Sequence, residues 1–194
     1  MRPSSLTLHL PAIVPMAHRI LREALQPGDC ALDATAGNGH DTLLLAECVG
    51  PTGRVWGFDV QAQALAHTRQ RLSDAGVLDR VTLVYAGHET LAAHVDAPLQ
   101  AAVFNLGWLP GSDKQVVTRP EPTCAALQAA ADLLQVHGVL VLVVYQGHPG
   151  AVEEREAVEA WASQRDPGQW RVARYALVNV PHDPPYVLAC ERVA

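Results

Sequence analysis

The chain has 194 residues, of which 49% are hydrophobic and 18% are charged, the proportions of a globular protein with a sizeable core. Its formal net charge of −6 argues against a protein that coats nucleic acid through a broad basic surface. No apolar run approaches the roughly 20 residues of a membrane-spanning helix, so no membrane partner is expected.

The N-terminal segment, residues 1–28, is predicted to form one helix with its lead-in. Residues 1–12 carry Arg2 as their only charge and lack a signal-peptide pattern, which predicts a cytoplasmic protein. Apolar residues recur at helical spacing over 8–25, and Pro27 with Gly28 ends that pattern. The four cysteines have no CxxC spacing, so we expect four reduced thiols.

Strands and helices then alternate along the chain. Apolar runs predict strands over 30–33, 55–59, 81–85, 101–104 and 139–145, and helical patterns cover 41–48, 62–75, about 122–134 and 151–163. Two last strands, 170–179 and 186–192, are joined by six residues, too few for a crossover helix, so they pair antiparallel. This pattern predicts an α/β fold with a doubly wound seven-stranded sheet, mostly parallel, closed by an antiparallel C-terminal hairpin.

The clearest motif lies at residues 33–41, between the first strand and its helix. Its D-x-T-x-G-x-G spacing places Gly37 and Gly39 where the backbone turns tightly and a cofactor approaches closely. The spacing resembles motif I of methyltransferases that use S-adenosylmethionine (SAM). A dinucleotide fingerprint needs a third glycine where Thr42 stands. Asp59 ends the second strand and would accept the ribose hydroxyls of either cofactor, or else cap the next helix.

The motif and the terminal hairpin together favour a Rossmann-like class I SAM-dependent methyltransferase, in one domain over 1–194, with S-adenosylhomocysteine (SAH) as product. His88 follows the third strand and is expected to contact adenine, unless it starts a surface helix. No metal is expected, because His40, His88 and His148 lack close ligand spacing. The predicted cofactor-binding residues are Asp33, Thr35, Gly37, Asn38, Gly39, His40, Asp41, Thr42, Asp59, Gln61, His88 and Asn105.

A loop rich in glycine and proline follows the fourth strand, over 105–122. Its start, Asn105-Leu106-Gly107-Trp108, has the order of parts of the N-P-P-[YFW] motif of amine methyltransferases. There the Asn oxygen and a backbone carbonyl accept hydrogen bonds from the target nitrogen, and the aromatic packs on the base. The predicted catalytic residues are Asn105, Trp108, Tyr145 and His148, and the predicted substrate-binding residues are Leu106, Gly107, Trp108, Asp113, Lys114 and Arg119.

Some roles stay open at this level. Trp108 is either a substrate platform or a core aromatic, and His148 either faces the substrate or shapes a rigid turn. The amine must lose a proton before it attacks, and burial beside a sulfonium would lower its pKa. The candidates to take that proton are Asp113, Tyr145, His148 and His40.

The motifs together resemble the YtqB/MnmM family, also called the "putative rRNA methylase" family, over nearly the whole chain. The most specific elements are N-L-G-W-L-P-G-x-D-K at 105–114 and G-H-P-G at 147–150. The resemblance implies methylation of the 5-aminomethyl group of the tRNA wobble (2-thio)uridine to 5-methylaminomethyl(-2-thio)uridine. The partner would be the tRNA anticodon region, and a homodimer is left open. Docking would fall to Arg19, Arg22, Lys114, Arg119 and arginines near the C-terminal strands.

Three alternatives remain. One is a small-molecule N-methyltransferase of the same fold, which the acidic net charge and the absence of a separate RNA-binding domain favour, or an rRNA N-methyltransferase of that fold. A non-catalytic module that binds SAM or a partner is disfavoured by the intact loop after the fourth strand. An NAD(P) oxidoreductase is disfavoured by the missing third glycine.

Overall fold

The structure is a computed structural model that describes residues 10–107, 118–147, 150–181 and 184–194. Its seven strands form one sheet in the order β3-β2-β1-β4-β5-β7-β6. The strands are β1 Cys30–Asp33, β2 Arg54–Asp59, β3 Val81–Tyr85, β4 Leu99–Leu106, β5 Leu134–Val144, β6 Trp170–Tyr175 and β7 Tyr186–Arg192. Strands β1 to β5 pair in parallel, whereas β7 pairs antiparallel with both β5 and β6. The predicted sheet and its C-terminal hairpin are therefore confirmed.

Helices cover both faces of the sheet. They are α1 Ile13–Ala24, α2 His40–Val49, α3 Ala62–Asp74, α4 Pro120–Leu133 and α5 Ala151–Ser163, with 3₁₀ segments at Leu78–Arg80 and His88–Ala93. Buried residues of α1, α2 and α3 share one core cluster, and those of α4 and α5 share the other. A parallel sheet buried on both faces explains the continuous apolar run of β5.

Helix α1 is amphipathic and lies against the sheet. Its buried residues Ile13, Ala17 and Leu21 recur every four positions, so they form one stripe that faces the core. The helix begins at Ile13 and not at residue 8, because Ala12 is extended and Pro11 lies before the first turn. The flank of this stripe carries Val14 and His18, which line a cleft at one edge of the sheet.

Six strand boundaries differ from the sequence-based prediction, and three of these differences have a clear structural cause. Strand β4 continues to Leu106, because Asn105 and Leu106 still pair with β5, so Asn105 is a strand residue and not a loop residue. Strand β5 starts at Leu134, before an irregular stretch in which His137 has a φ of 66°. Strand β6 ends at Tyr175, where its pairing with β7 ends. Each correction follows from partners that only the folded sheet defines.

In the parts of the chain that the structure describes, no helix has the length and apolar character needed to cross a membrane. The four cysteines are free thiols.

Candidate active site

A cleft of about 800 Å³ opens at the carboxyl ends of the parallel strands. The chain runs outward in opposite directions from β1 and from β4, which are neighbours in the sheet, so this edge is the topological switch point of the fold. Ligands of doubly wound sheets bind at such a point. The cleft walls come from the loop after β1, the ends of β2 and β4, the segment after β3, and helix α1.

The glycine-rich loop between β1 and α2 adopts a backbone that requires glycine. Gly37 and Gly39 have positive φ values of 51° and 77°. A Cβ on Gly39 would lie 2.8 Å from the side chain of Thr68 on α3. Thr68 Oγ1 in turn donates a 2.8 Å hydrogen bond to the carbonyl oxygen of Gly37. The loop is therefore pressed against α3, and its shape leaves no room for a side chain at Gly39.

Gly39→Ala is expected to lower the free energy of unfolding by about 2 to 3 kcal/mol, because it adds both left-handed backbone strain and a steric clash. Gly76→Ala is the matched control, since Gly76 also has a positive φ, 68°, but open space around its Cβ position. The control should cost about 1 kcal/mol, the backbone term alone. Urea denaturation measures both values, and equal losses would contradict the packing argument.

Asp33 and Thr42 lie beneath this loop. Asp33 is fully buried and accepts hydrogen bonds from Thr42 Oγ1 at 2.6 Å and from the Thr35 amide at 3.1 Å. Burial, together with the nearby charge of Asp41, raises the pKa of Asp33 to about 7. Thr35 Oγ1 accepts a 2.8 Å hydrogen bond from the backbone N–H of Asn105, and this bond connects the loop to the end of β4. These residues form the floor that holds the cleft-lining groups in place.

Asp59 ends β2 and lines the cleft. Its Oδ2 accepts a hydrogen bond from the Gly37 amide, and its Oδ1 accepts one from the Gln61 amide, both at 2.8 Å. Partial burial raises the pKa of this carboxyl group, while these amide hydrogen bonds oppose the rise. Each carboxylate oxygen carries two lone pairs, so each can accept one further hydrogen bond from a ligand.

Asn105 has a fixed amide orientation near the end of β4. Its Nδ2 donates a hydrogen bond to Oδ2 of Asp41 on α2. Burial acts to raise the pKa of Asp41, but hydrogen bonds from His18 and Asn105 outweigh it and lower the pKa. The carboxylate is therefore ionised at neutral pH and can only accept, which agrees with the NH₂ group of Asn105 facing it. The amide oxygen of Asn105 is left pointing away from Asp41.

Two backbone carbonyls after Asn105 already have partners. The Leu106 carbonyl accepts a hydrogen bond from the Tyr145 amide at 3.2 Å, and the Gly107 carbonyl accepts one from the Thr118 amide at 3.1 Å. Thr118 Oγ1 also donates to the buried carboxylate of Glu154 at 2.6 Å. The two ends of the segment between Gly107 and Thr118 are thus held together at the cleft wall.

His88 and Tyr145 contribute ring systems to the cleft. The His88 ring is buried and lies 5.9 Å from the Phe104 ring, tilted by 59°. Burial lowers the pKa of His88, which favours the neutral imidazole. Tyr145 follows β5 and is partly exposed, and its pKa is raised by partial burial and by the charge of Asp41. Neutral Tyr145 keeps a polar hydrogen that can be donated to a ligand, whereas neutral His88 has a single N–H, which the Ala34 backbone carbonyl also attracts.

The sequence-predicted site residues divide into three groups. Those that line the cleft are Thr35, Gly37, Asn38, His40, Asp41, Asp59, Gln61, His88, Asn105, Gly107, Arg119 and Tyr145. Those that lie behind the lining, with buried side chains or backbone, are Asp33, Gly39, Thr42 and Leu106. Those that lie outside the described residues are Trp108, Asp113, Lys114 and His148.

Sequence reasoning missed several residues of the cleft wall, among them Val14, His18, Glu89, Thr118 and Pro122. His18 is the most informative omission, because its Nε2 lies 2.6 Å from Oδ1 of Asp41. No local pattern marks it, since its partner is 23 residues away in the chain. Glu89 directly follows His88, so the adenine-contact reasoning could have included it.

The described side chains include no cluster of three or more His, Cys, Asp or Glu residues that could hold a metal ion. His40 contacts Arg71, since a guanidinium nitrogen of Arg71 lies 3.2 Å from His40 Nε2. The Nε of Arg71 also donates a 2.8 Å hydrogen bond to the Asn38 carbonyl oxygen. These contacts place His40 at the rim of the cleft, between it and a second hollow on the surface of α3.

Two family models match the chain. The model described as "Putative rRNA methylase" matches residues 55–191, which include the ends of β2, β4 and β5. The model described as protein-L-isoaspartate(D-aspartate) O-methyltransferase matches residues 4–105 and so ends at Asn105. The first match therefore reaches across both sides of the cleft, and the second covers only the side that carries the glycine-rich loop.

Named relatives agree with the first of these models. A chloroplastic tRNA (mnm(5)s(2)U34)-methyltransferase of Arabidopsis thaliana is 36% identical over 91% of this chain and 68% of its own length. A crystal structure described as a putative rRNA-methylase from Clostridium thermocellum has a TM-score of 0.93 at 38% identity, covering 95% of this chain and 100% of that one. A Streptococcus mutans methyltransferase in complex with SAH has a TM-score of 0.87 at 32% identity, covering 95% and 99%.

Proposed function

The chain belongs to the "Putative rRNA methylase" family and is a methyltransferase, and we propose that it N-methylates the 5-aminomethyl group of the tRNA wobble uridine. The product would be 5-methylaminomethyluridine, or its 2-thio form. The methyl donor would be SAM, and the tRNA anticodon region would be the partner. The name of the Arabidopsis relative, 36% identical over most of the chain, supports this choice of acceptor.

The observation that carries the proposal is the orientation of the Asn105 side-chain amide, which a hydrogen bond to Asp41 holds. Its NH₂ group is bound by an acceptor-only carboxylate, so its oxygen is the group offered to a ligand in the cleft. A carbonyl oxygen there suits an acceptor nitrogen that carries hydrogens, because it can accept one of them and orient the lone pair. An oxygen or carbon acceptor would gain less from this arrangement.

The cleft also fits SAM. The loop of Gly37 and Gly39 allows close approach of a ligand, and Asp59 keeps acceptor capacity on both carboxylate oxygens for a pair of ribose hydroxyls. The cleft contains the ionised Asp41, which favours a ligand that carries positive charge. Neutral His88 would donate to, or stack on, the adenine.

When bound, SAM supplies an electrophilic methyl group, which the amine lone pair attacks as the carbon–sulfur bond breaks to leave SAH. The contribution of the chain is positioning: Asn105 orients the amine, and the enclosed walls exclude water. The acceptor arrives as an ammonium and must lose one proton first. Tyr145 lines the cleft beside Asp41, and its neutral hydroxyl would relay that proton, accepting it on the oxygen while giving up its own hydrogen to water.

One observation favours a second candidate, a small-molecule amine N-methyltransferase. Several exposed arginines are already paired with carboxylates, which reduces their capacity to bind phosphates. These pairs are Arg19 with Glu23, Arg54 with Asp96, Arg171 with Glu191, and Arg174 with Glu159. The cytoplasmic location and docking through Arg22 and Arg119 stay predictions from the sequence, and a homodimer stays open.

An anticodon stem-loop with 5-aminomethyluridine at the wobble position is the direct test. Purified protein with SAM should add one methyl group to that nucleoside, measured by mass spectrometry after digestion. The matched control is the same stem-loop with plain uridine, which has no amine and should not react. Methylation of free small amines, with no reaction of the stem-loop, would support the second candidate and contradict the tRNA proposal.

A further inference from the structure

Helix α1 contributes a polar side chain to the cleft that the reaction as described does not use. His18 lines the cleft, and its side chain is only 22% exposed. It follows Ala17, a residue of the buried stripe of α1, so the backbone that carries it is held against the core. A histidine placed at a ligand cleft by a packed helix has little freedom to move, and its hydrogen bond is therefore well defined.

The hydrogen bond of His18 connects it to the acceptor-binding amide. His18 Nε2 lies 2.6 Å from Oδ1 of Asp41, and Asp41 Oδ2 accepts from Asn105 Nδ2. Because the Asp41 carboxylate is ionised, Nε2 of His18 must carry the hydrogen and donate it. The carboxylate side chain is 12% exposed, so these two donors replace most of its contact with water.

We propose that His18 is a positioning residue for methyl transfer, which holds the Asp41 carboxylate so that it keeps the Asn105 amide oxygen directed at the acceptor amine. The inference rests on the proposed function for the role of Asn105. His18 acts through Asp41 and needs no contact with either substrate. Its effect should therefore appear in turnover rather than in the affinity for SAH, which lacks the sulfonium charge that the Asp41 carboxylate favours.

The physical reason lies in what Asp41 would do without His18. A partly buried carboxylate with one donor fewer is ionised less easily. A protonated Asp41 could donate to the amide oxygen of Asn105, and the amide would then turn its NH₂ group toward the acceptor. That NH₂ group cannot accept a hydrogen from the amine and can only donate to the amine lone pair, so the lone pair would no longer be directed at the methyl group.

Other groups near Asp41 bear on its protonation. Among the described residues, the titratable groups that act on it are His18 on α1, His40 on α2, Asp33 at the end of β1 and Tyr145 after β5. The negative charge of Asp41 raises the pKa values of both Asp33 and Tyr145, and of these four groups only the two histidines lower the pKa of Asp41. His40 is partly engaged by Arg71, which leaves His18 as the direct donor.

Three variants test the proposal. His18→Leu removes the donor, and kcat should fall about 10- to 100-fold, whereas the Kd for SAH should change less than about threefold. His18→Gln can place an amide N–H near the position of Nε2, and it should keep kcat within about threefold of the wild type. His67→Leu replaces an exposed histidine of α3 away from the cleft and should leave both constants unchanged.

The pH profile separates positioning from general destabilisation. In His18→Leu the acid limb of the kcat profile should move to higher pH, because Asp41 then protonates more easily, whereas His18→Gln should restore the wild-type limb. An unshifted limb, or a Gln variant as slow as the Leu variant, would overturn the proposal. So would a loss of SAH affinity in proportion to the loss of kcat.

A second readout does not depend on which acceptor is methylated. The side-chain NH₂ resonances of Asn105, assigned by their absence in Asn105→Ala, should move in His18→Leu toward those of the exposed Asn179. Unchanged resonances would overturn the role of His18 even if the stem-loop is methylated. If the stem-loop is not methylated, the proposed function fails, and a shift of these resonances still supports the coupling of His18 to Asn105.

Discussion

Asn105→Ala is expected to lower kcat by on the order of 10²- to 10³-fold, with the Kd for SAH within about threefold of the wild type. The reason is that the amide oxygen orients the acceptor nitrogen only during transfer, while the loop of Gly37 and Gly39 and the carboxylate of Asp59 account for cofactor binding. Single-turnover kinetics with the 5-aminomethyluridine stem-loop measures the first quantity, and isothermal titration with SAH measures the second.

Two variants control this experiment. Asn179→Ala removes an exposed asparagine outside the cleft and should leave turnover unchanged. Asn105→Asp keeps an oxygen but places a second carboxylate against Asp41, so it should be nearly as slow as the alanine variant. Retained turnover in Asn105→Ala would mean that the acceptor binds elsewhere in the cleft.

The sheet could be predicted from the sequence because its pattern is local. Each parallel strand is a short apolar run followed by a helical period, and the connection before β7, predicted as six residues and ten in the structure (176–185), is too short for a crossover helix. The bounds of β3 and β7 are those expected from these runs. Patterns within a dozen residues are sufficient for such elements, since burial on both faces imposes the same composition on every parallel strand.

The ends of β4 and β6 could not be predicted in the same way. Asn105 lies in a strand only because Val143 of β5 continues beside it, and β6 stops where its pairing with β7 stops. An asparagine has a low preference for strands, so local propensity ended the strand at Phe104. Pairing with a neighbour 38 residues away (143 − 105) overrides that preference.

Part of the candidate site could be predicted from local sequence spacing, and part depends on contacts between residues far apart in the chain. The glycine-rich loop and Asp59 follow from spacing, because their chemistry depends on backbone turns and strand ends that sequence reveals. The partners of Asp41 do not: His18 approaches from a helix 23 residues before it and Asn105 from a strand 64 residues after it. Each residue alone has an ordinary surface explanation. Only the fold shows that one carboxylate accepts from both.

Asp59→Ala is expected to raise the Kd for SAH about 100-fold, with little change of kcat at saturating SAM. The proposal gives Asp59 two charge-assisted hydrogen bonds to ribose hydroxyls, and each contributes at least about 1.5 kcal/mol. The ribose is bound alike before and during transfer, so its loss weakens binding and leaves the chemical step unaltered. The variant also leaves the Gly37 amide without its acceptor, which loosens the loop.

Two further variants show whether the Asp59 charge or its position matters. Asp59→Asn keeps one acceptor oxygen and should give an intermediate Kd, about 10-fold above the wild type. Asp79→Ala removes a carboxylate whose side chain is 77% exposed, and it should leave the Kd unchanged.

Since the same carboxylate position binds ribose in NAD enzymes, the wild type is titrated with NADH as well. Binding of NADH in place of SAH would overturn the cofactor assignment, and an Asp59→Ala variant with wild-type SAH affinity would show that the ribose lies elsewhere in the cleft.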